Sequence, residues 1–256
     1  MAATLAIPLP PRPVELASFM PSSAPLLSVS ERARRLHRQL AWRRARGCDP
    51  SYVMELDGTT ITTLQTPCGE VKGLGTGASV WDTAIVLARY LAKERTNFNP
   101  KKVVELGSGN GLLGMVCAVL FEEANITLTD QKPLLPLIKQ NMAHNVENIP
   151  QLARVAVEEY NWGEETAMKD INLIICSDCV YDMAPWDLLV DSLRLLCSSG
   201  DECRVIISME HRYRSTEEKF FNYASQHFDI HTIPREEHDA DYCADDIDLY
   251  ILSSRR

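Results

Sequence analysis

One short stretch restricts the possible folds more than any other. Lys102-Val-Val-Glu-Leu106 has the length and β-branched content of a buried strand. It leads directly into Gly107-Ser-Gly-Asn-Gly111, and that turn leads into an apolar helical run over 112–121. A strand, a glycine turn and a helix in succession form the repeating unit of a parallel sheet, because the helix must carry the chain back before the next parallel strand begins. The alternation continues on both sides. Helical spacing precedes the unit over 80–93. After it, strands are expected at 125–129, 153–157, 171–176 and 204–208, with helices at 134–145, 186–197 and 216–226. Two strands, 228–233 and 247–252, close the chain without a helix between them, which implies an antiparallel pair at that edge. The expected fold is therefore α/β: a Rossmann-like, seven-stranded, mostly parallel sheet with helices on both faces and an antiparallel edge strand.

Three segments precede that domain. Residues 1–28 are rich in Pro, Ala and Ser without apolar period and read as a disordered tail. Residues 29–47 form a basic extension, with Ser30 as helix cap before Glu31-Arg-Ala-Arg-Arg-Leu-His-Arg-Gln-Leu-Ala-Trp42 and Leu36, Leu40 and Trp42 as a narrow apolar stripe. The main domain spans 48–256 and opens with a hairpin over 51–66. Asp57-Gly58 lies between the β-prone runs Tyr52-Val-Met-Glu-Leu56 and Thr60-Ile-Thr-Thr-Leu-Gln-Thr66, and both turn residues tolerate positive φ.

Charge narrows the partners. Net charge is −9. Residues 31–46 carry seven arginines and one glutamate, residues 1–30 balance, and the remaining 210 residues therefore carry −9 − 6 = −15. So acidic a body repels a phosphate backbone, which disfavours nucleic acid as substrate. No apolar run reaches the about 20 residues of a membrane span, so no membrane partner is expected. The eight cysteines fit reduced thiols better than a disulfide framework. Cys176-Ser-Asp-Cys179 lacks a second pair at matching spacing, and no metal is expected. A cytoplasmic monomer follows as the expectation, with nuclear or mitochondrial residence left open.

The glycine turn is the expected ligand site, since ligands bind at the carboxyl ends of such strands where the sheet order reverses. Gly107, Ser108, Gly109 and Gly111 would form it. Asp130 ends the following strand, where a carboxylate can hold both hydroxyls of a ribose. Glu105 lies two residues before the turn. A dinucleotide site wants Gly-x-Gly-x-x-Gly, and here the third glycine comes one residue early. An acidic residue beside the turn suits a cation better than a pyrophosphate. A cation-bearing nucleoside without phosphate, S-adenosyl-L-methionine, is the cofactor this pattern favours.

Five motifs then occur in order: Thr76-Gly-Ala-Ser-Val-Trp-Asp82, Val104-Glu-Leu-Gly-Ser-Gly-Asn-Gly-Leu-Leu-Gly114, Leu128-Thr-Asp130, Asn161-Trp162 and Ser177-Asp-Cys-Val-Tyr181. Together they resemble methyltransferase family 16, of the methyltransferase-like 21 type. These are class I, seven-β-strand enzymes that mostly methylate lysines of other proteins. The resemblance runs from about residue 50 onward. It implies that Trp81, Gly107, Ser108, Gly109, Asp130, Trp162 and Ser177 line the cofactor, with Trp162 against the adenine and Trp81 closing the methionine end. Core packing is the competing role for both tryptophans, and Trp42 and Trp186 match no family position.

Asp178 and Tyr181 follow the fourth strand, where the methyl group would be handed over, and are the expected catalytic residues. Asp178 would attract and orient the acceptor ammonium, and Tyr181 would align its lone pair. The acidic stretch Glu236-Glu-His-Asp-Ala-Asp241, with Asp245, Asp246 and Asp248, would either rim the substrate entrance or form a solvated loop. The implied substrate is a protein of chaperone, AAA ATPase or elongation factor type. A small-molecule, histidine or arginine methyltransferase and a non-catalytic binding module are the alternatives.

Overall fold

A computed structural model describes residues 33–34, 36–37, 42–43, 49–66, 75–198 and 203–255. The expected tail over 1–28 and most of the basic extension lie outside the described residues. Within that extension 33–34, 36–37 and 42–43 have helical backbone, Leu36 is exposed and Trp42 is buried.

The chain begins with the hairpin β1 (Ser51–Leu56) and β2 (Thr59–Leu64). Asp57 and Gly58 both have positive φ, 49° and 78°, the geometry of a two-residue primed turn. Strand alternation buries Tyr52, Met54 and Leu56, and they face the domain core. The hairpin is also hydrogen-bonded to the domain. Asn141 accepts the Leu64 N–H at 2.8 Å and donates to the Leu64 carbonyl at 3.1 Å. Asn145 does the same for Thr62, at 2.8 and 2.7 Å. Two helix amides thus satisfy an edge strand's backbone, as a neighbouring strand would.

The domain proper runs α1 (Asp82–Glu94), β3 (Lys102–Leu106), α2 (Leu112–Leu120), β4 (Asn125–Asp130), α3 (Leu135–Asn145), β5 (Val155–Glu159), β6 (Leu173–Ser177), α4 (Trp186–Cys197), β7 (Arg204–Glu210), α5 (Arg214–Ala224), β8 (Phe228–Thr232) and β9 (Ile247–Ser254). Sheet order is β5-β4-β3-β6-β7-β9-β8. The first five of these pair in parallel, and β9 runs antiparallel to both β7 and β8.

Central strands alternate between two apolar cores. Val103, Leu173, Ile175, Ile206 and Leu249 face α1 and α2, whereas Val104, Ile174, Cys176, Val205, Ile207 and Tyr250 face α4 and α5. Burial on both faces explains why these strands read as continuous apolar runs.

Several boundaries shift from the sequence reading, each for a local reason. β5 starts at Val155 because Pro150–Arg154 forms a 3-10 turn that buries Leu152. β6 starts at Leu173 because Asn172 turns its side chain back, accepting the backbone N–H groups of Lys101 and Lys102 at 2.9 Å each. β7 extends to Glu210, paired with Ile247, two residues beyond the expected end. That extension carries charged residues to the functional edge of the sheet.

Candidate active site

The carboxyl ends of the parallel strands open onto a cavity of about 380 Å³, within the range of small-molecule sites. It lies at the reversal of strand order between β3 and β6, where α/β sheets bind ligands. Except for Gly111, every residue the sequence singled out lines this cavity.

The floor is the turn after β3. Gly109 has φ 58°, and a Cβ there would lie 2.7 Å from the Gly77 carbonyl oxygen, so only glycine lets the segment at 75–78 close over the turn. Gly111 serves packing instead of the cavity wall. It ends the turn at φ 86°, and a Cβ there would press on Ile138 and Leu128 at 3.2 Å. Cross-strand bonds hold the turn to β4. The Ser108 N–H donates to the Thr129 carbonyl at 2.9 Å, and the Ser108 hydroxyl accepts the Thr129 N–H at 3.1 Å.

Asp130 ends β4 beside this turn. Its carboxylate accepts the Gly109 N–H at 2.8 Å and the Gln131 N–H at 2.7 Å. Burial pushes the carboxyl up to about 6, against the pull of those two donors. Glu105 is 2% exposed. Burial pushes it further, to about 8, while the Ser108 hydroxyl and the Gly114 N–H act in the opposite sense and Asp130 adds to the rise. Two desolvated carboxyls at one cavity wall favour a cationic occupant, whose charge would stabilise both in their ionised forms.

The walls are aromatic. Trp162 follows β5, lines the cavity and rests against the core under α4, so packing and lining are the same placement. Trp81 is the residue before α1. Its extended backbone delays the helix to Asp82, and its Nε1–H donates to the Thr76 carbonyl at 2.9 Å. The Tyr181 hydroxyl also bonds to Thr76, and burial raises its pKa. Ser177 shares a 2.9 Å hydrogen bond with Thr83.

Asp178 occupies a strained position. Its φ is 54°, in the left-handed region that non-glycine residues seldom occupy. Its N–H donates to the Ser208 carbonyl at 2.9 Å, which locks it to β7. Its side chain is 4% exposed and forms an ion pair with Arg212. Sequence reasoning placed Asp178 alone before an incoming cation; in the structure a guanidinium already rests on it. Arg212 and Glu210 were missed because strand β7 was ended at Ser208. Carried two residues further, the carboxyl-end rule would have included both.

The acidic stretch divides. Asp248 is buried between His211 and Arg235, at 3.0 and 2.7 Å. The carbonyls of Glu236, Glu237 and His238 surround the Lys93 ammonium. Asp246 alone joins the mouth of the site, through Arg43, which bonds it at 2.6 Å and Asp82 at 3.1 Å. Asp82, Glu210 and Asp246, from three separate segments, are instead tied by ion pairs to Arg43 and Arg212, and Arg212 reaches Asp178.

A mostly parallel seven-stranded sheet, a glycine turn after β3, an aspartate ending β4 and an aromatic after β5 define a class I, S-adenosylmethionine-dependent methyltransferase. The fold likeness extends to the glycopeptide N-methyltransferase MtfA. Its complex with S-adenosyl-L-methionine matches with TM-score 0.52 and 13% identity over 67% of this chain and 87% of that one. Its complex with sinefungin matches with TM-score 0.53 and 10% identity over 70% and 89%. A family model described as lysine methyltransferase matches residues 64–227, and the chain belongs to that family, methyltransferase family 16. The protein N-lysine methyltransferase METTL21A of Danio rerio is 37% identical over 167 residues, 63% of this chain and 73% of that protein. The EEF1A lysine methyltransferase 3 of Mus musculus is 32% identical over 168 residues, 64% and 69% respectively. The enzyme transfers methyl groups from S-adenosyl-L-methionine to a protein lysine.

Proposed function

We propose that this enzyme, as a cytoplasmic monomer, methylates a lysine on a folded protein partner and that the partner is of elongation factor type. The location is proposed from the free, buried thiols among the described cysteines, which fit a reducing compartment. One observation carries the assignment of sides. Asp130 and Trp162 stand on one side of the cavity at β4 and β5, and Asp178 stands on the other at β6 among the paired charges of the mouth. A nucleoside fits the first side and an ammonium the second. The printed acceptor of the EEF1A lysine methyltransferases is the basis for the elongation factor choice.

When bound, S-adenosyl-L-methionine supplies a methyl group on a sulfonium. The residues fit it. Glu105 is a buried carboxyl with its pKa raised beside the turn, suited to a cation, and at Gly107 a Cβ would crowd Cys179 and Trp162 at 2.9 and 3.3 Å, so glycine keeps the turn tight against the cavity wall. Asp130 would hold the ribose hydroxyls, Trp162 the adenine face, and the backbone at Gly107 and Ser108 the chain beside them. On the acceptor side, Asp178 attracts the lysine ammonium. The lysine, with an ordinary pKa of ~10.4, gives its proton to water. Asp178 and Tyr181 would then orient the neutral amine toward the methyl group that the bound cofactor would supply. The walls of Trp81 and Tyr181 align the amine and exclude water.

The test is to incubate the protein with tritiated S-adenosyl-L-methionine and cell extract, hydrolyse the labelled band and identify both protein and residue. Methyl-lysine on an elongation factor is expected. Label on a small molecule, or on histidine or arginine, overturns the reading.

A further inference from the structure

Arg212 emerges from β7 at the sheet edge where β6 delivers Asp178, and its placement is tightly specified. His211, the residue before it, is clamped between Glu217 at 2.9 Å and Asp248 at 3.0 Å. The other oxygen of Glu217 accepts the N–H groups of Arg212 at 3.0 Å and Tyr213 at 2.9 Å. The backbone held at Arg212 and Tyr213, with the His211 ring clamped before them, fixes where the Arg212 side chain leaves the chain. Its guanidinium bridges Asp178 and Glu210, the latter at 3.1 Å, and lies 5.2 Å from the centroid of the Trp81 ring.

We propose that Arg212 is a positioning residue for the acceptor lysine: it aligns the Asp178 carboxylate and, as a fixed like charge, favours the neutral amine that attacks. The proposal rests on the reading of Asp178 as the acceptor carboxylate. A lone carboxylate would bind the lysine well but hold it as ammonium, which cannot attack. A guanidinium on the same carboxylate offsets that effect without leaving the site, since arginine keeps its proton at every working pH. A planar guanidinium reaches both carboxylates, Nη2 to Asp178 and Nη1 to Glu210, where a single ammonium point charge has no such spread, and the Trp81 face steadies it from one side.

Other charges reach the same place. Asp82 comes from the start of α1, Asp246 from the segment before β9, and Arg43 lies between them. The Tyr181 hydroxyl feels Asp178 and Asp130, and the Cys179 thiol lies buried beside Asp178. Carboxylates outnumber guanidiniums around the mouth, so loss of Arg212 leaves a strongly anionic pocket.

The experiment measures the rate of tritium transfer into methyl-lysine against pH, with cell-extract protein as acceptor and saturating cofactor, for the full chain, R212Q and R212K. With the acceptor lysine held in the site at a pKa of ~8, R212Q is expected to lose about tenfold at pH 7.5 and to regain most of it toward pH 9.5, a displacement of about one pH unit. Cofactor affinity should stay within about twofold. R212K should return the profile to that of the unmodified protein, at a lower rate. A rate ratio for R212Q that is constant across pH, or a folded R212K that does not restore the profile, overturns the proposal. If R212Q does not fold, the titration is run on Glu210→Gln, where the displacement should be toward acid, and an unmoved profile overturns it. If the unmodified protein labels no lysine, the acceptor reading itself fails, and that outcome is distinct from each of these.

Discussion

The cofactor side and the acceptor side of the cavity are built differently. The first is made of backbone and packing: a glycine turn stitched to β4, one carboxylate bonded to a loop N–H, and a tryptophan resting on a core. Its parts come from the ends of the neighbouring strands β3, β4 and β5. The second is made of charge. Asp178, Arg212, Glu210, Asp82, Arg43 and Asp246 come from five separate segments and meet only at the mouth. The difference teaches that a backbone-lined pocket floor can be built from adjacent strands, whereas a cluster of charges is assembled across the fold.

If the two sides are separable, substitutions should split binding from turnover. The largest expected effect is at Asp178. Asp178→Asn should lower turnover about a hundredfold while cofactor affinity, read by calorimetry, changes less than about threefold. Equal losses in both would merge the two sides. Asp130→Ala should show the reverse pattern. Losing a charged acceptor should weaken cofactor binding by about 1.5–3 kcal/mol with the melting temperature little changed. Unaltered affinity in a stable variant would remove Asp130 from the cofactor side.

Trp162→Ala tests a residue with both a packing and a lining placement. Stacking loss alone is worth about 0.5–1.5 kcal/mol of cofactor affinity. A drop in stability with affinity intact would make the residue a core element only.

The smallest effect concerns the clamp behind Arg212. Burial pushes His211 down, but hydrogen bonds and charge from Asp248 and Glu217 more than reverse this, to about 9. A histidine whose pKa rises on folding stabilises fully below its ordinary value of about 6.5, and that stability is lost as pH rises through about 9. After allowance for solvent screening this is on the order of 1 kcal/mol, or about 2–4 °C in melting temperature. The unmodified protein should therefore lose that much more than His211→Gln between pH 6.5 and 9.5. Parallel curves would show that the clamp carries no charge.

Legibility followed the same division. The run from Lys102 to Leu120 could be read directly, because period, glycine spacing and apolar content all specify one local structure there. Asp57-Gly58 was equally plain, since its turn type follows from two residues. Gly111 was read as part of the site from its spacing, but the surroundings that make it a packing glycine, Ile138 and Leu128, come from other elements. The acidic stretch after Glu236 was read as one unit, yet burial sends Asp248 inward and Arg43 draws Asp246 to the mouth.

By itself, then, the sequence determined the α/β alternation, the glycine turn after β3 and the cofactor class, because each depends on residues within a few positions of one another. Only the tertiary structure decided what Asp178 is bound to, which acids gather at the mouth and how the hairpin is fastened to α3. Those outcomes depend on Coulombic and hydrogen-bond contacts between residues as much as 203 positions apart. Interactions of that kind follow inverse distance in space, and separation along the chain carries no information about them.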